Sequence, residues 1–216
     1  MRHLIFGNKY ILNNSLFINN VATPVLMNGT VTRTTDHKGG NTAIQFGSGN
    51  LVSMNNLPIS SVWSVAFWMK SNSTSIDQVM VELSSNFNNK NGLVVDLSDG
   101  SSILGKLMAG ISSSSSKNLK NTNNTLNDGL WKHIVIIFDR NQPVQNEIKI
   151  YINNLLSATS TYLGKNSEMS GNFISDKIYL GGRGNSYQYP FIGATSPIKM
   201  FNYALTQTEI DNLYNE

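Results

Sequence analysis

The chain has 216 residues, 40% hydrophobic and 13% charged, with 16 Lys and Arg against 13 Asp and Glu. The absence of Cys excludes disulfides, a thiolate nucleophile and Cys-ligated zinc. The net charge of +3 is scattered along the chain, not gathered into the basic stripe that duplex binding needs, so no nucleic-acid partner is expected.

The apolar share supports a core, while the surface is dressed with Asn and Ser, whose short side chains bond the local backbone and favour turns over helix. An all-β chain follows. Such sandwiches often run to roughly 200–250 residues as one unit, so one domain over residues 1–216 is expected. Residues 1–20 are broken by the pairs Asn13-Asn14 and Asn19-Asn20 and read as an N-terminal arm. Their first apolar stretch ends at Gly7 and Asn8, short of the ~7–15 apolar residues of a signal peptide, and no run approaches a membrane span of ~20 residues. The sequons at Asn13, Asn28, Asn72 and Asn123 read as accidents of an Asn-, Ser- and Thr-rich chain.

In WSVAFWMK, residues 63–70, Trp63, Val65, Phe67 and Met69 alternate with Ser64, Ala66, Trp68 and Lys70, which predicts a half-buried strand with both tryptophans packed. QVMVEL sets Val79, Val81 and Leu83 against Met80 and Glu82. GLVVDL sets Leu93, Val95 and Leu97 against Val94 and Asp96, and Asp99-Gly100 signals a hairpin turn. Residues 111–129 are so polar that they predict a long mobile loop. WKHIVIIFD, residues 131–139, is apolar on both faces from Ile134, as in a central strand. EIKIYI then turns at Asn153-Asn154 to pair antiparallel with LLSATS. KIYLGG is a short strand ending at Gly181 and Gly182. Thr206 to Glu209 is a capping box, with Leu205 and Ile210 at staple spacing, and the short helix it starts must dock through Ile210 and Leu213.

Several of these runs resemble the laminin-G-like jelly-roll family of the concanavalin-A-like lectin and glucanase superfamily. DGLWKHIVIIFD matches its acidic-Gly-Trp-x-His strand through Asp128, Gly129, Trp131, His133 and Asp139. IKIYINN, KIYLGG and FIGATSPIKMFNYALTQTEI follow in the family's order, and AIQFGSGNLVSM and WSVAFWMK resemble its opening strands. The resemblance spans about residues 29–213. It implies a two-sheet antiparallel β-sandwich with a short C-terminal helix. One departure stands out: after Phe191-Ile192-Gly193 the family usually carries an acidic residue, and here Ala194-Thr195-Ser196-Pro197 follows.

Chemistry is sparse. Glycoside hydrolysis needs two carboxylates flanking a sugar, and the Glu-x-Asp-x-Glu run of related glucanases is missing. Glu82, Asp96, Asp99 and Asp139 read as isolated surface or turn residues, so no catalytic residue is assigned and no enzyme is expected. His3, His37 and His133 lack metal-ligand spacing, and His133 reads as a packed sandwich residue. No metal site is assigned and no cofactor is expected. Calcium stays open, because Asp99, Asp128 and Asp139 lie near turns, although so few acids argue against a tight site.

The sharpest binding signal is the Gly-flanked loop GGRGNSYQYP, where Arg183, Asn185, Tyr187, Gln188 and Tyr189 combine aromatic faces with amide and guanidinium donors suited to a sugar. Tyr and Arg also favour subunit interfaces, so two readings stand. One is a non-catalytic recognition module for a glycan or cell-surface ligand. The other is an architectural protein assembling with itself or with other structural proteins, such as a bacteriophage or viral decoration or fibre component. Location is left open; a virion component would need no secretion signal.

Overall fold

The computed structural model describes residues 3–6, 11–12, 15–18, 21–24, 26–28, 32–55, 57–84, 87, 91–113, 117–157, 159–163, 170–174, 176–184 and 188–216. Among them, two large antiparallel sheets face one another. The nine-stranded sheet runs Leu155–Leu156, Ile148–Ile152, Lys132–Asp139, Val62–Lys70, Gly193–Thr195, Ala43–Phe46, Thr32–Thr34. Ile198–Phe201 also pairs with Val62–Lys70 and carries His3–Phe6 on its other edge. The eight-stranded sheet runs Thr159–Leu163, Lys117–Thr125, Lys106–Ser112, Leu93–Leu97, Gln78–Leu83, Lys177–Leu180, Leu51–Asn55, Leu26–Asn28. Ile11–Leu12, Ser15–Ile18 and Val21–Pro24 pair in a separate small sheet.

The core lies between the large sheets and follows the alternation of their strands. Trp63, Val65, Phe67 and Met69 point into it beside Ile134, Ile136 and Phe138, and Leu93, Val95 and Leu97 meet them from the opposite sheet. Burying each such side chain is worth about 1.5–3 kcal/mol. Gly181 is obligatory at its edge: its φ is +84°, and a Cβ would stand 2.1 Å from the Phe46 ring.

The outer face of the nine-stranded sheet is covered too. Ala66, Val135 and Ile137 pack against Phe201, Leu205 and Ile210, so Val62–Lys70 is buried on both sides along much of its length instead of half-buried. The helix Gln207–Asn215 begins as its cap predicts: Glu209 N donates to Thr206 Oγ1 (3.3 Å) and Thr206 N donates to Glu209 Oε2 (2.8 Å). Asn153 and Asn154 take φ of 49° and 60°, and Tyr151↔Leu156 and Ile152↔Leu155 close the expected hairpin. It is shorter than expected, because Thr159 and Ser160 of LLSATS leave it to pair with Lys117–Thr125 in the other sheet.

Three local expectations fail. Residues 111–129 are not a loop: Lys106–Ser112 runs into them and Lys117–Thr125 pairs with it. Two of the buried side chains in this polar strand find partners, while the buried Asn121 Oδ1 has none among the described residues. Asn118 Nδ2 donates to Glu147 Oε2, and Thr122 Oγ1 accepts from Leu107 N (3.1 Å) while donating to Asn124 O (2.8 Å). Asp99-Gly100 makes no tight hairpin either. It opens a longer connection with a 3₁₀ turn at Ser101–Ile103, and Gly100 N donates to Asp77 Oδ1 (2.9 Å). In Gln78–Leu83 a bulge between Val79 and Val81 shifts the register, sending Met80, Val81 and Leu83 to the core and Val79 to the outer face.

Candidate functional site

The outer face of the eight-stranded sheet carries the predicted loop. Val79, Phe87, Val94 and Met108 form an apolar patch there, and Phe87 lies so close over Gly110 that a Cβ would meet its ring at 3.3 Å. Glu82 pairs with Val94, and Asp96 with Val79, so both acids project onto this face. Neither is a surface or turn residue as their isolation in sequence suggested: Glu82 is 1% exposed and Asp96 5%. The signal for this was present, since each acid sits inside an apolar strand at the phase of its outward-facing residues.

Glu82 anchors the loop. Its carboxylate accepts hydrogen bonds from Phe87 N (3.1 Å) and Gly184 N (3.0 Å), and Arg183 Nε lies 3.7 Å away. Burial pushes the Glu82 carboxyl up, against the opposing pull of Arg183. Asp96 accepts from Gln78 N (3.0 Å) and is raised well above the usual range, first by burial and then by the charge of Asp99.

The Arg183 guanidinium carbon lies 5.6 Å from the ring centres of both Phe87 and Tyr189. Arg183 N donates to Gln188 O (2.8 Å), and Tyr189, at φ 55°, accepts from Val79 N (2.9 Å) through its carbonyl. Arg183, Gln188 and Tyr189 are thus brought together at one rim, with Gln188 and Tyr189 exposed. Asn185 and Tyr187 lie outside the described residues.

A second feature occupies the outer face of the nine-stranded sheet beside the C-terminal helix. His37 stacks on Trp68 (4.1 Å between centroids, 11° between planes), and Tyr214 stacks on Trp68 at 5.3 Å. His133 lies 5.2 Å from Trp68 and 5.7 Å from Tyr214. A cavity of about 170 Å³ adjoins them, also lined by Thr42, Ser196 and Lys199. Trp68 is therefore a wall of this cavity and not part of the inter-sheet core where Trp63 sits, because Trp68 occupies the outward phase of its strand. His133 is packed as expected, 2% exposed, and burial followed by the neighbouring His37 lowers its pKa to about 4. Its Nδ1 has no hydrogen-bond partner among the described residues.

The acids near turns do not converge. Asp128 pairs with Lys132 (2.8 Å), and Asp139, at the far end of the same strand, accepts from Asn141 N (2.9 Å). Asp99 stands on the other sheet's connection beside Asp77 and Asp96. Among the described residues no group of three His, Asp or Glu side chains is placed to hold a metal, and no helix is long and apolar enough to cross a membrane.

Two stacked antiparallel sheets, joined in this order and closed by a short C-terminal helix, define a jelly-roll sandwich. Residues 38–211 match the family described as the Concanavalin A-like lectin/glucanases superfamily, and the chain belongs to it. No curated protein matches the chain. Among solved structures it is similar to domain 4 of an extracellular arabinanase from Geobacillus stearothermophilus, in complex with arabinotriose, at 17% identity and TM-score 0.67, covering 99% of this chain and 100% of that one. It is also similar to the binding domain of botulinum neurotoxin serotype C1, at 15% identity and TM-score 0.68, covering 99% of this chain but 52% of the toxin domain, about half its length. A heptameric pentraxin from Limulus polyphemus matches at 15% identity and TM-score 0.58, covering 80% and 81%. At these identities the likeness is one of fold.

Proposed function

We propose that the chain is a single, non-catalytic recognition module that binds a glycan or another surface ligand at the rim formed by Arg183, Gln188 and Tyr189, with Asn185 and Tyr187 in the same loop. The observation that carries the reading is the Arg183 guanidinium held between two aromatic rings by a buried carboxylate, since it presents a fixed donor fork beside an aromatic face. Relatives of the same fold lend support. The arabinanase domain holds arabinotriose, a botulinum binding domain holds rat synaptotagmin II, and type C toxin entry depends on two ganglioside molecules.

The two acids on this face fit recognition better than hydrolysis. Glu82 is committed to two backbone amides and Arg183, and Asp96 to Gln78 N, so both are engaged in holding the loop and sheet. The test is a glycan-array screen with calcium and with chelator, alongside a reducing-end assay on every glycan retained. Retention without cleavage is expected; turnover of a retained glycan would sink the non-catalytic reading.

A second reading, assembly with itself or with other structural proteins as in a virion, draws on a different observation. Leu155 and Leu156, 70% and 63% exposed, form the edge strand of the nine-stranded sheet. Light scattering decides it: a defined oligomer lost in Leu155→Lys supports assembly, and a monomer at all concentrations opposes self-assembly.

A further inference from the structure

A groove of about 360 Å³ lies on the outer face of the nine-stranded sheet, apart from the Arg183 rim. Its geometry follows from cross-strand register. Lys70 pairs with Ala194, Ala194 with Gln45, and Gln45 with Thr32, so these four side chains stand in one row on one face. The Lys132↔Met69 pair places Trp131 next to Lys70 one step further along. Ala194, the smallest member and 4% exposed, makes the floor, with Gln45 on one flank and Lys70 and Trp131 on the other.

Several groups around this floor keep polar atoms free for a ligand, while Ser71 spends its hydroxyl on Ile192 O (2.7 Å). Gln45 spends its Nε2 on Phe46 O and Gly193 O (3.0 Å each), which fixes the amide and leaves Oε1 as an acceptor. Among the described residues, the Trp131 indole N–H, the Lys70 ammonium and the hydroxyls of Thr34 and Thr35 have no hydrogen-bond or ionic partner, and all four residues line the groove. An oriented amide, an indole face with a free N–H and paired hydroxyls suit a hydroxyl-rich ring with apolar C–H surface. The charge narrows the class. Among the described residues no acid lines the groove, and Asp128 is taken by Lys132 at 2.8 Å, so none of them opposes Lys70 there.

We propose that this groove binds one residue of a carboxylate-bearing sugar, with Lys70 on the carboxylate and Trp131 against the ring. The site is independent of the Arg183 rim and lies on the opposite sheet, which would give the module two separate contacts.

The experiment follows the Trp131 indole N–H resonance of the full chain in titrations with a glucuronic-acid-containing disaccharide, its neutral glucose counterpart, and sodium acetate. The uronide is expected to shift the Trp131 signal and to bind at least about tenfold more tightly than the neutral sugar, the scale of one charge-assisted hydrogen bond. Lys70→Glu should lose about tenfold or more, and Ala194→Val should weaken both sugars by filling the floor, with thermal midpoints recorded for each. Trp131→Phe keeps a ring but removes the N–H and with it the reporting resonance; titrated by calorimetry beside the parent chain, it should weaken the uronide without abolishing it. Equal binding of acidic and neutral sugar, acetate matching the uronide, an undisturbed Trp131 signal, or a Lys70→Glu chain that binds as before would each overturn the proposal. Arg183 and Tyr189 variants should leave this titration unchanged, so its failure is separable from failure at the rim.

Discussion

Arg183 Nε stands 3.7 Å from Glu82 Oε1, and that carboxylate also holds the amides of Phe87 and Gly184. The pair is asymmetric: Glu82 is 2% exposed in its side chain and Arg183 is 24%. Removing the arginine strands a buried charge, whereas removing the charge leaves an arginine that can turn to water. Arg183→Ala should therefore destabilise the chain by about 2 kcal/mol, below the ~3–5 kcal/mol of a fully buried broken pair because Arg183 is partly solvated. Adding Glu82→Gln to Arg183→Ala should recover part of that loss in urea unfolding. A double mutant weaker than either single change would refute the account.

Asp96 makes the opposite case, a buried acid with like charges for neighbours. Burial, then Asp99, raise its pKa above the unfolded value, so the folded state holds the proton more tightly. Its contribution to stability is full below the unfolded pKa and is lost as pH rises through the folded one. Asp96→Asn, which keeps an oxygen to accept from Gln78 N, should raise the thermal midpoint at pH 7 by a few degrees, since ~1 kcal/mol moves a chain of this size by about 2–4 °C. At pH 3 variant and parent should melt together; a gain of equal size at both pH values would show that the charge is not the cause.

His133 titrates with the reverse sign. Its folded pKa of about 4 lies below the ordinary 6.5, lowered by burial first and by His37 second, so the unfolded chain binds the extra proton. Stability from this group is full above pH 6.5 and is lost as pH falls through 4, a span worth on the order of 3 kcal/mol. The charged and titratable groups around it are His37, Tyr214, Lys199 and Glu216, with Glu216 alone favouring protonation. His133→Gln should flatten the fall in melting temperature between pH 7 and pH 4. A fall as steep in the variant as in the parent would remove His133 as its source.

Much of the fold is legible in the sequence, for a physical reason. Ile148–Ile152 alternates at the period of the pleat, Lys132–Asp139 is a continuous apolar run from Ile134 as a strand covered on both faces must be, and Thr206 with Glu209 encodes a helix start locally. Lys117–Thr125 was invisible because its stability comes from partners such as Glu147, far away in sequence, and not from its own hydrophobicity. The candidate sites divide in the same way. Arg183, Gln188 and Tyr189 are neighbours along the chain and could be proposed together. The row of Lys70, Ala194, Gln45 and Thr32 exists only through register between strands that are distant in sequence.

The helix cap offers a local test of the C-terminal docking. Thr206→Ala removes the acceptor for Glu209 N and should cost about 0.5–2 kcal/mol. Ile210→Ala opens a hole in the cluster with Ala66, Val135 and Phe201 and should cost about 2–5 kcal/mol. If the helix stood free of the sheet, Ile210→Ala would cost no more than an exposed substitution, and hydrogen exchange at Val135 would not respond.

The recognition rim is tested most directly at Tyr189, a residue 37% exposed whose backbone is fixed by Val79 N. Tyr189→Ala deletes the ring beside Arg183 and leaves that hydrogen bond in place, so binding can fall without unfolding. Glycan retention should drop at least about tenfold, given that one aromatic face contributes on the order of 1 kcal/mol or more beyond its buried area. Tyr187→Ala should act in the same direction. Arg183→Lys is the sharper probe, because it keeps the charge near Glu82 but loses the planar fork between Phe87 and Tyr189. A Lys variant that retains glycan as well as the parent would reduce Arg183 to a structural clamp for Glu82, and retention surviving both tyrosine changes would move the site away from this loop.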